Sequence, residues 1–256
     1  MAKEQFLYPE TERLMKLLDE TSRRSGVSRG QAFEDTLHMI VCALSGGQLE
    51  QQYMQTVQRH TEGVKGNRGC DSITQLFAEL VSIMDDTRKD VIGDLYQGAI
   101  TYGEAGQYLT PESLTTLMAQ LATGDSEPEP GHRKSVCDPC CGTGRMLLAV
   151  AEQNPHWEFI GQDVDLRCVR MTAINLALRN LYGYVVWGNS LTLESKLVYR
   201  TVFNINSGVI REITPEQCPY PVQQSPVEHV TQQPSITTLP PPDDDGDSVK
   251  KQGKLF

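Results

Sequence analysis

Between Cys137 and Met146 the chain reads CDPCCGTGRM, placing an acid, a proline and two glycines within ten residues. Asp138 followed by Pro139, Cys140, Gly142, Thr143 and Gly144 is the composition of a strand-to-helix turn in an α/β protein, where glycine lets a ligand approach the backbone closely. A second acid, Asp163 in GQD, stands 25 residues after Asp138, a separation suited to accepting hydrogen bonds from ribose hydroxyls. Asn189 in GNS is placed to reach an adenine edge. One GxG alone would be an ordinary turn. Three compatible strand ends in order point instead to a nucleoside-bearing ligand.

The same stretch holds Cys137, Cys140 and Cys141, three of seven cysteines in all. An odd, clustered set suits reduced thiols better than a disulfide framework. Zinc would need a second CxxC or a pair of histidines at ligand spacing, and neither is present. With no adjacent histidine or base, Cys140 and Cys141 read as small packing residues of the loop rather than nucleophiles.

The elements that must position these groups follow from periodicity. Residues 1–100 read as a helical region. SRGQAFEDTLHMIVCALSGG carries Phe33, Leu37, Ile40, Val41 and Leu44 at helical spacing, with Gly46 and Gly47 as a stop. DSITQLFAELVSIMDD repeats the pattern through Ile73, Phe77, Leu80, Val81 and Met84 behind a cap at Asp71 or Ser72. A third helix is expected to open with Thr110 as cap, Pro111 at its first position and Glu112 at the positive end of its dipole. From Ser135 the pattern alternates: strands SVCD, WEFIGQD and YVVWGNS are separated by helices GRMLLAVAEQN and LRCVRMTAINLALRNLYG. Helices between strands imply parallel pairing with right-handed crossovers, one half of a doubly wound sheet. KLVYRTVFNI and GVIREI add two strands around the turn NSG. The core is thus expected over 101–213. From Thr214 to Phe256, eight of the fourteen prolines and the run PPPDDDGD leave too few apolar residues for a core, so a disordered tail is expected.

Composition narrows the classes further. At 256 residues and 39% hydrophobic, the chain has room for one domain and a smaller companion. It has no run of eighteen apolar residues, and MAKEQFLYPETERLMK lacks the form of a signal peptide, so a cytoplasmic protein without membrane contact is expected. A formal charge of −10 argues against gripping nucleic acid by bulk electrostatics; any DNA contact needs a local basic patch or a partner subunit.

DPCCGTGRML resembles the DPxCGxGxxL loop of adenine-specific DNA methyltransferases, above all the modification subunits of type I restriction systems. GQDVDLRCVRMTAINLALRNL is similar to that family's second strand and following helix, and GNSL to its third strand end. GQYLTP, Gly106 to Pro111, resembles the motif ahead of the cofactor loop. The resemblance covers about residues 90–191 and implies an abbreviated class I methyltransferase core, Rossmann-like, with S-adenosylmethionine as cofactor and DNA as substrate. It implies that Tyr108 and Thr110 line the methionine end, that Asp138 to Gly144 form the cofactor loop, and that Asp163 takes the ribose. Asn189 stands where the family usually has Asp.

The family's acceptor motif, (Asn/Asp/Ser)-Pro-Pro-(Tyr/Phe), holds the extruded adenine by its amine and stacks on the ring. It should follow the third strand and is absent: LVYRTVFNINSG has Asn204 and Asn206 without prolines, and CPYP at Cys218 lacks the polar residue and the Pro-Pro pair. Two readings follow. The chain is an adenine methyltransferase whose acceptor site is atypical or completed by another subunit, or it is a non-catalytic cofactor-binding relative that regulates or scaffolds a DNA-associated complex. The final QGKLF resembles the QxxLF peptide by which bacterial proteins dock on the replication sliding clamp, with Leu255 and Phe256 filling an apolar pocket and Gln252 fixing register.

Overall fold

The computed structural model describes residues 6–100, 110–123, 133–205 and 208–220. Tyr108 and the QGKLF residues Gln252, Leu255 and Phe256 lie outside them. The helical region comprises α1 (Thr11–Ser25), α2 (Arg29–Ala43), α3 (Glu50–Gln58), α4 (Gly69–Thr87) and the short α5 (Val91–Leu95), which runs on as a single π-helical turn over Tyr96–Ile100. Ser28 caps α2 by accepting a hydrogen bond from the Gln31 amide at 3.1 Å. The helix ends at Ala43, and the expected stop residues Gly46 and Gly47 take positive φ in the turn beyond it. At α4 the expected cap moves: Arg68 precedes the helix, and Asp71, three residues on, accepts from the Arg68 and Gly66 amides at 2.9 Å each. Those bonds and the Arg68 guanidinium hold the Asp71 carboxyl well below the usual range.

α6 (Glu112–Thr123) leads to β1 (Ser135–Asp138), α7 (Arg145–Gln153), β2 (Glu158–Asp163), α8 (Leu166–Leu178), β3 (Gly183–Asn189), β4 (Glu194–Val202) and β5 (Val209–Ile213). The strands form one sheet in sequence order. As alternation implied, β1, β2 and β3 are parallel, with Cys137 opposite Ile160 and Ile160 opposite Tyr184. β4 and β5 then fold back antiparallel, Val185 facing Tyr199 and Thr201 facing Ile210. The sheet is therefore mixed, and among the described residues β1 pairs with β2 alone.

Right-handed crossovers set α7 and α8 on one face of the sheet. There Leu147, Phe159, Val169, Ile174 and Val185 join Phe33, Leu37 and Ile40 of α2 in one continuous core. Full burial of each such side chain stabilises by about 1.5–3 kcal/mol. No core boundary therefore falls at residue 100: the stripe on α2 is the surface against which α8 packs. On the opposite face Tyr184, Val186 and Val198 form a small cluster covered by Ile213, Cys218 and Tyr220. The ordered chain thus passes the boundary expected at Thr214. A 3₁₀ turn over Pro215–Gln217 returns the backbone across the sheet, and Tyr220 donates its hydroxyl to Glu158 and meets Tyr184 edge-on. Local composition marked this segment as tail; Cys218 and Tyr220 pack it against the sheet face.

Candidate active site

The loop after β1 lies at the carboxyl ends of the parallel strands, where open α/β sheets take ligands. Its fold is set by hydrogen bonds to the next strand and helix. The Cys141 amide donates to the Gln162 carbonyl at 2.9 Å, and Thr172 on α8 donates its hydroxyl to the Gly142 carbonyl at 2.9 Å. Gly144 is the turn's required glycine: its φ is +85°, and a Cβ there would stand 3.1 Å from Thr172 Cγ2. Gly161 of β2 makes room in the same way, since a Cβ there would meet the Cys141 sulfur at 3.0 Å.

Asp138 ends β1 and accepts from the Cys140 amide at 3.1 Å. Burial pushes its carboxyl above the ordinary range, and the charge of Asp163 adds to the shift. Asp163 ends β2; one oxygen accepts from the Gly142 amide at 2.9 Å and the other from the Asp165 amide at 2.9 Å. A carboxylate has about four lone-pair sites, so acceptor capacity remains for a ligand. Cys141 is buried, and its thiol is pushed far up by burial, the state of an inert packing residue; Cys140 is exposed.

A cavity of about 320 Å³ opens between α6, α7 and the end of β1. Thr110, Met118, Asp138, Pro139, Cys140 and Met146 line it. The structure thus brings Thr110 together with the front of the loop. The Pro111 carbonyl accepts from the Leu114 and Thr115 amides at 3.0 Å each, so the first helical bonds of α6 start at Pro111 and Thr110 stands one residue further out, toward the cavity. The Gly142 amide bonds Asp163, Thr143 and Gly144 are buried, and neither these four residues nor Asn189 lines the cavity. Asn189 stands two residues past Trp187, the register partner of Asp163, and its side-chain oxygen accepts from the Leu191 amide at 2.9 Å in its own turn.

Sequence reasoning missed the residue that ties this loop to the helical region. Asp90, 4% exposed, accepts from Thr143 Oγ1 at 2.6 Å, Arg145 Nε at 2.8 Å, Asn175 Nδ2 at 2.9 Å and the Gly93 amide at 3.0 Å. Asn175 also donates to the Thr143 carbonyl at 2.8 Å. From sequence, Asp90 carries only the signal of a helix cap ahead of Val91. Tyr96, stacked on Phe33, likewise reaches Asp165 at 3.3 Å, beside the end of β2.

Residues 87–204 match the family model described as N-6 DNA Methylase. Over these residues, a little under half of its length, the chain is similar to N-6 DNA methylases. The match begins at Thr87, just ahead of Asp90, so the hub and the loop it holds fall within the same match. Among solved structures the chain is similar to a protein from Listeria monocytogenes described as a class I S-adenosylmethionine-dependent methyltransferase, with 18% identity and a TM-score of 0.41 over 69% of this chain and 52% of that one. It is also similar to a type I restriction-modification methyltransferase subunit from Streptococcus thermophilus, with 14% identity and a TM-score of 0.39 over 74% of this chain and 59% of that one. The chain therefore spans little more than half the length of these structures. No curated protein matches it. Among the described residues no helix is long and apolar enough to cross a membrane.

Proposed function

We propose that the region similar to N-6 DNA methylases binds S-adenosylmethionine at the Asp138–Gly144 loop and serves N6-adenine methylation of DNA together with a second chain that brings the acceptor site. The observation that carries the reading is the convergence of Asp138 and Asp163 on one glycine-bearing loop at the carboxyl ends of parallel strands, Asp138 accepting the Cys140 amide and Asp163 the Gly142 amide. The residues fit the cofactor's chemistry: free lone pairs on Asp163 suit ribose hydroxyls, and Asp138 offers a negative charge to a cationic methionine end. When bound, the cofactor supplies an electrophilic methyl group on sulfur. The chain's own residues hold the ribose, keep the loop closed through Asp90 and shield one side with Thr110 and Met118 of the α6 region.

A second chain is invoked because both places considered for an acceptor residue lie elsewhere. Asn204 is bonded to Asn180 at 3.0 and 3.1 Å, at the amino end of β3, and Cys218 and Tyr220 pack on the sheet face around Tyr184. The outer edge of β1, unpaired among the described residues, and the exposed Leu114, Leu117, Met118 and Leu121 on α6 beside the cavity suit a chain carrying further strands. Calorimetric titration with S-adenosylmethionine should give one-site binding that is lost in Asp163→Ala while the variant still melts cooperatively. Labelled methyl transfer to DNA should then need the partner chain. Absence of cofactor binding by the native chain would end this reading.

The QGKLF peptide favours a second reading, a cofactor-binding regulator tethered to the sliding clamp through Gln252, Leu255 and Phe256. Clamp pull-down should be abolished by replacing Leu255 and Phe256 with Ala; unchanged capture would remove it.

A further inference from the structure

α7 separates the cofactor cavity from a second one. Met146, Leu147 and Val150 face the first, whereas Arg145, Leu148, Ala149 and Glu152 line a polar cavity of about 270 Å³ on the other side. Its remaining walls are Thr115 and Thr116 of α6, the α4–α5 link Thr87–Asp90, and Arg179 at the end of α8. Four cationic side chains, Arg88, Lys89, Arg145 and Arg179, face two acids, Asp90 and Glu152, in a chain whose formal charge is −10.

The pairing of these charges is incomplete. Asp90 is saturated by its four donors and neutralises Arg145 through Nε alone. Arg145 Nη2 is buried without a hydrogen-bond partner on a side chain only 6% exposed. Arg179 donates through Nη2 to the Arg88 carbonyl, its Nε is also buried without a partner, and burial pulls its guanidinium below the usual range. Lys89 stands 3.8 Å from Glu10 and 4.8 Å over the Tyr8 ring. Both guanidiniums line the one polar space, and each carries a buried donor left unpaired, so the positive charge around the cavity exceeds what Asp90 and Glu152 balance.

We propose that this cavity is a binding site for a phosphate-type oxyanion, either free phosphate or a phosphate of nucleic acid. Arg145 and Arg179 supply the guanidinium donors, and Arg88 and Lys89 the surrounding positive charge. Because Arg145 also holds Asp90, and Asp90 holds Thr143, occupancy would brace the loop on the far side of α7. The site itself goes beyond the cofactor reading and does not depend on it.

The test uses the full chain without S-adenosylmethionine. Titration with inorganic phosphate at constant ionic strength should give saturable one-site binding, and chloride should give none. Arg179→Gln, which leaves the Asp90 hub intact, should weaken binding by about tenfold or more. Arg88→Asn keeps the carbonyl that Arg179 uses and tolerates the local φ of +56°, and should weaken it as well. Circular dichroism and a cooperative melt for each variant separate loss of site from loss of fold. Competition by a short oligonucleotide lacking terminal phosphates assigns the site to the nucleic-acid backbone, and its absence assigns it to a free phosphate. No saturable binding, or equal binding by native chain and both folded variants, would overturn the proposal.

Discussion

Asp90 shows how one side chain joins two regions that sequence reading kept apart. Its partners Thr143, Arg145 and Asn175 lie 53, 55 and 85 residues away, beyond any local pattern. Asp138 and Asp163 were legible because strand period and strand ends fix where a carboxylate falls; the hub was not, because nothing local distinguishes it from a cap. Replacing Asp90 with Asn leaves the buried Arg145 charge without its counterion, and should cost about 3–5 kcal/mol of stability in a urea titration. A loss under about 1 kcal/mol would mean the loop is held by Thr172 and Asn175 instead. Asp138 has the opposite sign. Its folded carboxyl binds a proton more tightly than the unfolded one, by burial first and Asp163 second. Its contribution is therefore fully present below the unfolded carboxylate pKa and falls as pH rises through the raised folded value. Asp138→Asn should accordingly melt at or above the native chain at pH 7, with the difference vanishing near pH 4, while binding S-adenosylmethionine more weakly. A variant that melts lower at pH 7 would show that the charge stabilises the loop.

At the scale of elements, parallel β1–β3 and their helices were readable from alternating periods, whereas the return of β4 was not. The turn from Ser190 to Leu193 contains no Gly, Asn or Asp, and Leu193 itself takes a φ of +59°, so the usual hairpin signature is missing. The strands were identifiable by their β-branched residues; their direction depends on partners, which local sequence does not specify. The strand-to-helix turn is more tightly determined. Gly144→Ala adds a Cβ at φ +85° against Thr172 and should destabilise by about 1–3 kcal/mol. Thr172→Ser removes the methyl at the collision and keeps the hydroxyl that bonds the Gly142 carbonyl. The double variant should therefore recover some of the steric part, with Thr172 Oγ1 still 3.2 Å from the added Cβ, and retain the backbone part of the loss, a coupling that a double-mutant cycle of melting data measures. Strict additivity would place the strain elsewhere in the loop.

For the whole molecule, the question is what closes a sheet whose two faces are so unequal. One face is sealed by α7, α8 and the helical region, which share a single core and therefore should unfold in one transition. On the other, among the described residues, Tyr184, Val186 and Val198 form the buried cluster, with Thr214–Tyr220 laid across them. The proline-rich composition concealed this, since burial there depends on Cys218 and Tyr220 meeting residues far away in sequence. A chain ending at Ile213 exposes that cluster and frees the Glu158 acceptor of Tyr220, whereas one ending at Tyr220 keeps both. The shorter chain should lose about 1–2 kcal/mol, a drop of roughly 2–8 °C in melting temperature relative to the longer one. Equal melting temperatures would mean the segment rests on the sheet without stabilising it.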